Sequence, residues 1–351
     1  MAKTKVEFVC RECGASHHQW AGQCLDCKEW NTLEEIVLST ATSSKPESLK
    51  DLPASKVQSL SEVKAQNKDR LSTGLSELDR TLGGGLVDGS VVLIGGDPGI
   101  GKSTLILQAL ATLNSDNTTL YVSGEESAEQ VSERALRLGI KEDILFIGET
   151  HLEKVIKLSK DAKPKVIVID SIQTMVTNLS ASAPGSVTQV RDCAAQLTQY
   201  AKQTNTILLM IGHVTKGGAL AGPRILEHMV DAVLYFEGDA GGRYRIIRAV
   251  KNRFGAVNEI SVFAMGEKGL QQVSNPSSIF LSNQENPSSG SMVMVTREAT
   301  RPLLVEIQAL VDQSNGAPKR VSVGLDQNRL ALQLAILHKH SGIATFDQDV
   351  F

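Results

Sequence analysis

The sequence predicts an α/β protein: a nucleotide-binding core with a mostly parallel central sheet, a small cysteine-rich module ahead of it and a shorter region behind it. Three observations lead there. From Leu71 onward, short continuous Val/Ile/Leu runs alternate with helical stretches, the pattern of strands buried on both faces and joined by helices. Gly96-Asp97-Pro98-Gly99-Ile100-Gly101-Lys102-Ser103 is a complete phosphate-binding loop. Four of the five cysteines fall in the first 27 residues, as two Cys-x-x-Cys pairs.

Length and composition set the frame. A chain of 351 residues, 41% of them hydrophobic, has room for two or three units. A net charge of -3 excludes a global pull toward nucleic acid, so any such surface is a local patch. No stretch of about 18 apolar residues exists, and the first seven residues lack the apolar core of a signal peptide, so no membrane partner is expected and the protein is read as cytoplasmic. Residues 1–38 read as a zinc-binding module, 39–70 as a polar linker, 71–274 as the ATPase domain and 275–351 as a further, shorter domain opening on a Ser/Asn/Pro-rich boundary.

Cys10, Cys13, Cys24 and Cys27 come first. Two residues between thiolates let a pair share one ion, and four thiolates close a tetrahedron, so the site is structural zinc; two disulfides or free thiols are the alternative. His17 and His18 read as spare surface residues. Trp20 and Trp30 are expected to cover the small core, because so short a module buries little without a staple.

In the core, strands are predicted at Val91–Gly95, Thr119–Ser123, Ile144–Ile147, Val166–Asp170 and Ile207–Gly212, and helices at Ser103–Leu113, Ser127–Leu138, His151–Lys160 and Ser186–Thr204. Ala232–Phe236, Arg243–Val250 and Glu259–Ala264 read as antiparallel additions. In the loop that follows Val91–Gly95, glycines let backbone N–H groups curl around phosphate oxygens, and the next helix turns its positive end to them. Residues Gly96 to Ser103 and Thr104 therefore read as nucleotide-binding; Lys102, taken as a surface group, reaches the outer phosphates of ATP, and Ser103 binds Mg2+. Asp170 ends an apolar strand, where a carboxylate holds magnesium. Glu125 and Glu126 follow another strand; either or both suit a general base, and an acidic turn at a helix start is the bland alternative. His213 and Thr215 follow the next strand and read as γ-phosphate sensors or as ordinary structural residues.

Arg243, Arg245, Arg248, Lys251 and Arg253 form a basic segment in which Arg243 and Arg245 share a strand face, and Lys216 and Arg224 lie in a Gly-rich loop. Such a loop and strand suit a phosphate backbone; a solvated strand face is the alternative.

These residues together resemble the bacterial RadA (Sms) DNA-repair family. The four-cysteine module with Trp30-Asn31-Thr32, the approach Ser72-Thr73-Gly74-Leu75 through Gly83-Gly84-Gly85, the stretch Gly124-Glu125-Glu126-Ser127 and, most specifically, Lys251-Asn252-Arg253-Phe254-Gly255 carry the likeness over about residues 5–350. The resemblance implies a RecA-type P-loop ATPase core between an N-terminal four-cysteine zinc module and a partial α+β C-terminal domain. It further implies a homo-oligomeric, hexameric ring that uses ATP, Mg2+ and Zn2+, moves on single-stranded and branched DNA, and extends branches with the RecA recombinase. Lys251 and Arg253 would serve ATP at a subunit junction or couple it to DNA; they follow the Arg-rich strand in a turn ended by Gly255, from which a side chain is expected to reach outward.

The family usually continues into a complete Lon-protease-like domain. Here Met292–Thr296, Leu303–Val311 and Arg320–Gly324 read as its first strands and Asp326–His340 as its first helix, with no protease Ser–Lys pair, so no proteolysis is expected. Two rival functions are a strand-exchange protein that coats DNA as a filament and a non-motor regulatory ATPase of KaiC type. DNA-stimulated turnover with directional unwinding separates the three.

Overall fold

The computed structural model describes residues 5–10, 16–26, 28–38, 70–180, 182–213, 223–238, 242–281 and 289–351. The linker reading therefore lies, except for Arg70, outside the described residues, as do Cys13, Cys27, Thr215 and Lys216. Contacts divide the chain into 1–273 and 274–351.

The N-terminal module is an antiparallel sheet of β1 (Lys5–Cys10), β2 (Ser16–His17) and β3 (Leu33–Leu38), in the order β2-β1-β3. Cys10, Cys24 and Leu33 are buried, with Phe8 and Ala21 against them. Trp20 and Trp30 do not cover this core: they are 60% and 67% exposed. The two buried thiols occupy the centre that the indoles were expected to shield.

The core is one nine-stranded sheet. After α1 (Ser76–Thr81), β4 (Val91–Gly95), α2 (Lys102–Leu113), β5 (Thr119–Ser123), α3 (Ala128–Leu138), β6 (Leu145–Gly148), α4 (Leu152–Ala162), β7 (Val166–Asp170), α5 (Val187–Thr204), β8 (Ile207–Ile211) and α6 (Pro223–Met229) come β9 (Ala232–Glu237), β10 (Tyr244–Asn252), β11 (Ile260–Gly266) and β12 (Gly269–Gln272). The strand order is β12-β11-β10-β9-β4-β8-β7-β5-β6. Alternate residues of the central strands enter opposite cores: Val92, Ile94, Val166 and Val168 join Leu105, Leu110 and Phe263 on one face, while Val91, Leu93, Ile167 and Ile169 join Leu152, Val190 and Leu197 on the other. That two-sided burial is why these strands read as unbroken apolar runs. The Ser127 capping box starts α3, with Gln130 N–H donating to Ser127 Oγ and Ser127 N–H donating to Gln130 Oε1, and left-handed Gly139 ends it.

One direction is corrected. β9 is parallel to β4, with Val92 opposite Ala232, and not an antiparallel addition. The sequence reading missed α6, and a strand that returns through a helix comes back parallel. β10, β11 and β12 are antiparallel, as hairpin connections require.

Residues 274–351 hold the hairpin β13 (Ser291–Glu298) and β14 (Arg301–Gln308), the pair β15 (Val311–Gln313) and β16 (Gln348–Val350), and α7 (Gln327–Ser341). The expected strand Leu303–Val311 is split between β14 and β15. The expected strand Arg320–Gly324 is reduced to a bridge of Arg320 to Val350. Met292, Val293 and Val295 are exposed and α7 buries no residue.

Candidate functional site

The sheet brings the predicted chemistry to one edge. β4, β5, β7 and β8 run parallel, so the residues just after their C-terminal ends are neighbours: the phosphate loop, Glu125, Asp170 and His213. Ligands of open α/β sheets bind in this crevice.

The loop is held close to the strands beside it. At Gly96 (φ 149°) a Cβ would stand 2.8 Å from Phe236 Cβ, and at Gly101 (φ 114°) 2.7 Å from Met265 Cε. Only glycine gives both the positive φ and the close approach. Asp97, Pro98 and Gly99 are exposed, Ile100 is buried, and Ser103 and Thr104 are half-buried in the first turn of α2. The first N–H groups of that helix have no intrahelical acceptor and carry its positive end.

Lys102 is 4% exposed, so the surface reading of it is corrected. Its Nζ donates to the Gly96 carbonyl at 2.7 Å and the Asp97 carbonyl at 2.9 Å, and lies 3.4 Å from His213 Nδ1. Burial lowers its pKa below the usual lysine value. His213 Nε2 lies 3.2 Å from Glu125 Oε1. A carboxylate only accepts, so Nε2 carries the proton and Nδ1 accepts from Lys102. Ser171 Oγ also donates to Glu125 Oε1, at 2.5 Å. The His213 hydrogen bond, then that of Ser171, holds the Glu125 carboxyl below the ordinary carboxylate value despite partial burial.

Asp170 is buried, and desolvation raises its pKa; the Tyr121 and Ser103 hydroxyls both hydrogen-bond to it and oppose that rise. Burial and the same carboxylate drive the Tyr121 phenol upward. The pairing of a loop hydroxyl with a strand-end carboxylate is an oxygen donor set that suits magnesium, so Ser103 and Asp170 fit the ion they were assigned. Glu126 differs from Glu125: Arg134 takes both its oxygens, Nη1 to Oε2 at 2.7 Å and Nη2 to Oε1. Tyr121, Ser171 and Arg134 were not singled out by sequence. Ser123 faces Asp170 in the β5–β7 register, which puts Tyr121 diagonally from Asp170, and register is not visible in one sequence.

In the N-terminal module Cys10 and Cys24, each 1% exposed, are the described half of the four-thiolate set. Cys10 Sγ lies 3.2 Å from Thr32 Oγ1. His17 is not a spare surface residue: its Nε2 is 3.5 Å from Cys24 Sγ and 3.5 Å from Asp26 Oδ2. Buried thiols in so thin a core are the donor chemistry zinc takes, and Cys10 and Cys24, with Cys13 and Cys27, would hold it.

The basic segment is largely engaged inside the subunit. Arg243 is exposed and stacks 5.6 Å from the Tyr244 ring centre, but Arg245 is 2% exposed, so the two do not share a solvent face. Arg248 pairs with Glu237 at 2.6 Å. Lys251 lies within β10, not in an outward turn, and its Nζ donates to the carbonyls of Glu227 and Val230 at 2.5 and 2.8 Å. Asn252 Nδ2 donates to the Thr81 carbonyl at 3.1 Å, and Arg253 Nη1 reaches the buried Asp231 at 3.2 Å. The Phe254 carbonyl accepts from Arg70 at 2.6 Å, and Gly255 packs on Gly83, where a Cβ would lie 2.7 Å from the Gly83 Cα. Arg224 lies in α6.

Comparison with known proteins agrees with this layout. A rubredoxin metal binding domain family matches residues 8–35 and an AAA domain family matches residues 58–219. A DNA repair protein RadA of Pseudomonas aeruginosa is 58% identical, one of Escherichia coli 53% and one of Bacillus subtilis 46%; each alignment covers all of this chain and 78% of the relative. The chain thus carries an ATPase domain behind a zinc ribbon, and no described helix is long and apolar enough to cross a membrane. Likeness of this degree, unbroken from the ribbon through the sheet and into the C-terminal unit, means that the chain belongs to the RadA family of bacterial DNA repair proteins.

Proposed function

We propose that this protein is an ATP-driven DNA motor of the cytoplasm, working as a homo-oligomeric, hexameric ring on single-stranded and branched DNA and promoting branch migration with the RecA recombinase. The observation that carries the reading is the array of Lys102, Ser103, Glu125, Asp170 and His213 at the ends of adjacent parallel strands, tied by the contacts above. The name DNA repair protein borne by its relatives supports the DNA half of the reading.

The roles follow from chemistry. Backbone N–H groups from Gly96 to Thr104 and the Lys102 ammonium bind the phosphates. Ser103 and Asp170 would hold magnesium, which supplies charge neutralisation when bound. Glu125 is the base that takes a proton from the attacking water; Glu126, clamped by Arg134, positions the turn. His213, joined to both Lys102 and Glu125, with Thr215 after it, senses the outer phosphate and passes its state to Lys216 and on to Arg224. Lys251 and Arg253, with Asn252, Phe254 and Gly255, serve the subunit junction or DNA. The units of this machine are 1–38, the linker 39–70, the ATPase domain 71–274 and the region 275–351, to which no proteolysis is assigned.

The test measures ATP turnover with and without single-stranded DNA at two salt concentrations, together with unwinding of forked DNA. Stimulation with directional unwinding supports the motor. Stimulation with strand exchange and no unwinding overturns it for a filament-forming recombinase, and turnover indifferent to DNA overturns it for a regulatory ATPase.

A further inference from the structure

We infer that Arg245 is a positioning residue for the phosphate loop, fixing one peptide of the loop for nucleotide binding from a buried place in the neighbouring hairpin. The inference rests on the reading of residues 96–104 as the nucleotide site.

β10 alternates, and its inward row is Arg245, Ile247 and Ala249. Ile247 and Ala249 belong to the apolar core beside α2. The third member of that row is an arginine, 2% exposed, opposite the buried Phe263 of β11. A guanidinium in such a place is costly to desolvate and needs a compensating arrangement. Here its Nε donates to the Ile100 carbonyl at 2.9 Å, and Nη1 donates to the carbonyls of Gly242 at 2.5 Å and Tyr244 at 3.0 Å. One planar group thus bridges the phosphate loop and the beginning of β10.

The Ile100 contact has a directional consequence. A trans peptide is planar, with its C=O and the following N–H pointing to opposite sides. Fixing the Ile100 carbonyl on Arg245 turns the Gly101 N–H away from Arg245. Gly101 is the residue before Lys102 and takes a left-handed φ of 114°, so without that tether this peptide is among the freest in the loop. Arg245 therefore orients a loop N–H through its carbonyl partner, and its forked donor set suits this better than an ammonium does.

A structural role and a positioning role predict different results. Removing Arg245 alone leaves the Ile100, Gly242 and Tyr244 carbonyls without this donor, so the thermal midpoint of Arg245→Met without nucleotide should fall. ATP affinity, measured by equilibrium binding on the full chain, should fall about tenfold, and the thermal shift produced by ATP should shrink with it. Arg245→Lys keeps the charge without the fork and should lose threefold or more. Arg245→Met that folds and binds ATP within twofold of the unsubstituted protein overturns the inference. If Arg245→Met does not fold, Arg245→Lys decides: a threefold loss of affinity at unchanged stability supports the role, and unchanged affinity overturns it. Lys102→Ala is the control for the site itself. Arg245 variants that lose affinity while Lys102→Ala does not would refute the site reading and with it the inference, whereas loss in Lys102→Ala alone overturns only the inference.

Discussion

Replacing Glu125 by glutamine is the sharpest test of the hydrolytic reading. Both donors to this side chain, Ser171 Oγ at 2.5 Å and His213 Nε2 at 3.2 Å, land on Oε1. Among the described residues Oε2 has no donor, so it is the oxygen left to accept a proton. Glutamine can present its carbonyl to both donors and put an NH2 where Oε2 stood, which keeps the geometry and removes the base. Loss of a general base costs about 10²–10⁴ in rate, or about 2.7–5.4 kcal/mol at about 1.36 kcal/mol per decade. ATP affinity should stay within about threefold, because Oε2 is not a phosphate ligand. Single-turnover hydrolysis at saturating ATP, beside equilibrium binding, separates the two quantities. The control is Glu126→Gln, which weakens a partly exposed ion pair with Arg134, worth about 1 kcal/mol at most, and should change the rate by less than about fivefold. A dead Glu126→Gln beside a normal Glu125→Gln would refute the assignment, and two normal variants would remove the base from this turn altogether. The pH dependence gives a second check. The carboxyl of Glu125 lies below its ordinary value of 4.5, so the charged form is present above that value and is lost only as pH falls through the lower, folded value. The acid limb of kcat/KM that Glu125 contributes therefore sits below 4.5, and Ser171→Ala, which removes a hydrogen bond to the charged form, should move it upward.

Further outcomes follow from other parts of the chain. Lys102→Ala should abolish ATP hydrolysis with an unchanged far-ultraviolet circular dichroism spectrum; near-normal turnover refutes the loop chemistry. Metal analysis should find one tightly bound zinc per chain, reduced in Cys24→Ser, and full zinc in that variant refutes the four-thiolate set. Burial pushes the Cys193 thiol up to about 12, so it stays protonated and unreactive to iodoacetamide at ordinary pH in the native protein; rapid alkylation of the corresponding peptide by mass spectrometry would contradict that. In rings mixed from Lys251→Ala and Lys102→Ala subunits, activity should follow the number of interfaces that retain an intact Lys102 facing an intact Lys251, whereas activity proportional to unmixed rings alone refutes action across the junction.

The legible part of this protein was the part fixed by local pattern. β4, β5 and β7 have the bounds their apolar runs predicted, because burial on both faces leaves an uninterrupted signal that chemistry ends: a glycine loop after Gly95, a carboxylate at Asp170. Less legible was whatever depends on a distant partner. The direction of β9 turned on α6, a seven-residue helix after a glycine-rich stretch, too short to show periodicity. Arg245 looked like one more surface arginine, since alternation says only that it shares a face with Ile247 and not that this face is the core side. His17 looked spare because its partner, Cys24, is seven residues away across a turn.

Lys251 shows how such a partner changes a functional argument. Sequence suggested a cation in an exposed turn, reaching outward. The structure gives it two carbonyls at the end of α6, a place where helix geometry leaves acceptors unsatisfied and favours a positive charge. Burial, and then the nearby Arg253, lower its pKa, so the ammonium is held there by its hydrogen bonds and not by surrounding negative charge alone. Any junction role must exchange these bonds for others. Hydrogen bonds from a charged donor are worth about 1.5–3 kcal/mol each, so an acceptor across the junction must offset about 3–6 kcal/mol. A DNA phosphodiester carries one charge and is well solvated, which makes it a weak competitor. The terminal phosphate of ATP carries more charge than a phosphodiester and competes better. If Lys251 acts at a junction as proposed, ATP is then a better partner for it than DNA. These carbonyls also couple its departure to α6. Substituting Lys251 by methionine should then loosen the end of α6, seen as faster amide exchange at Val230 and Asp231, in the isolated subunit with neither ATP nor DNA present. Unchanged exchange there would refute the coupling while leaving the junction role to stand on the mixed-ring result alone.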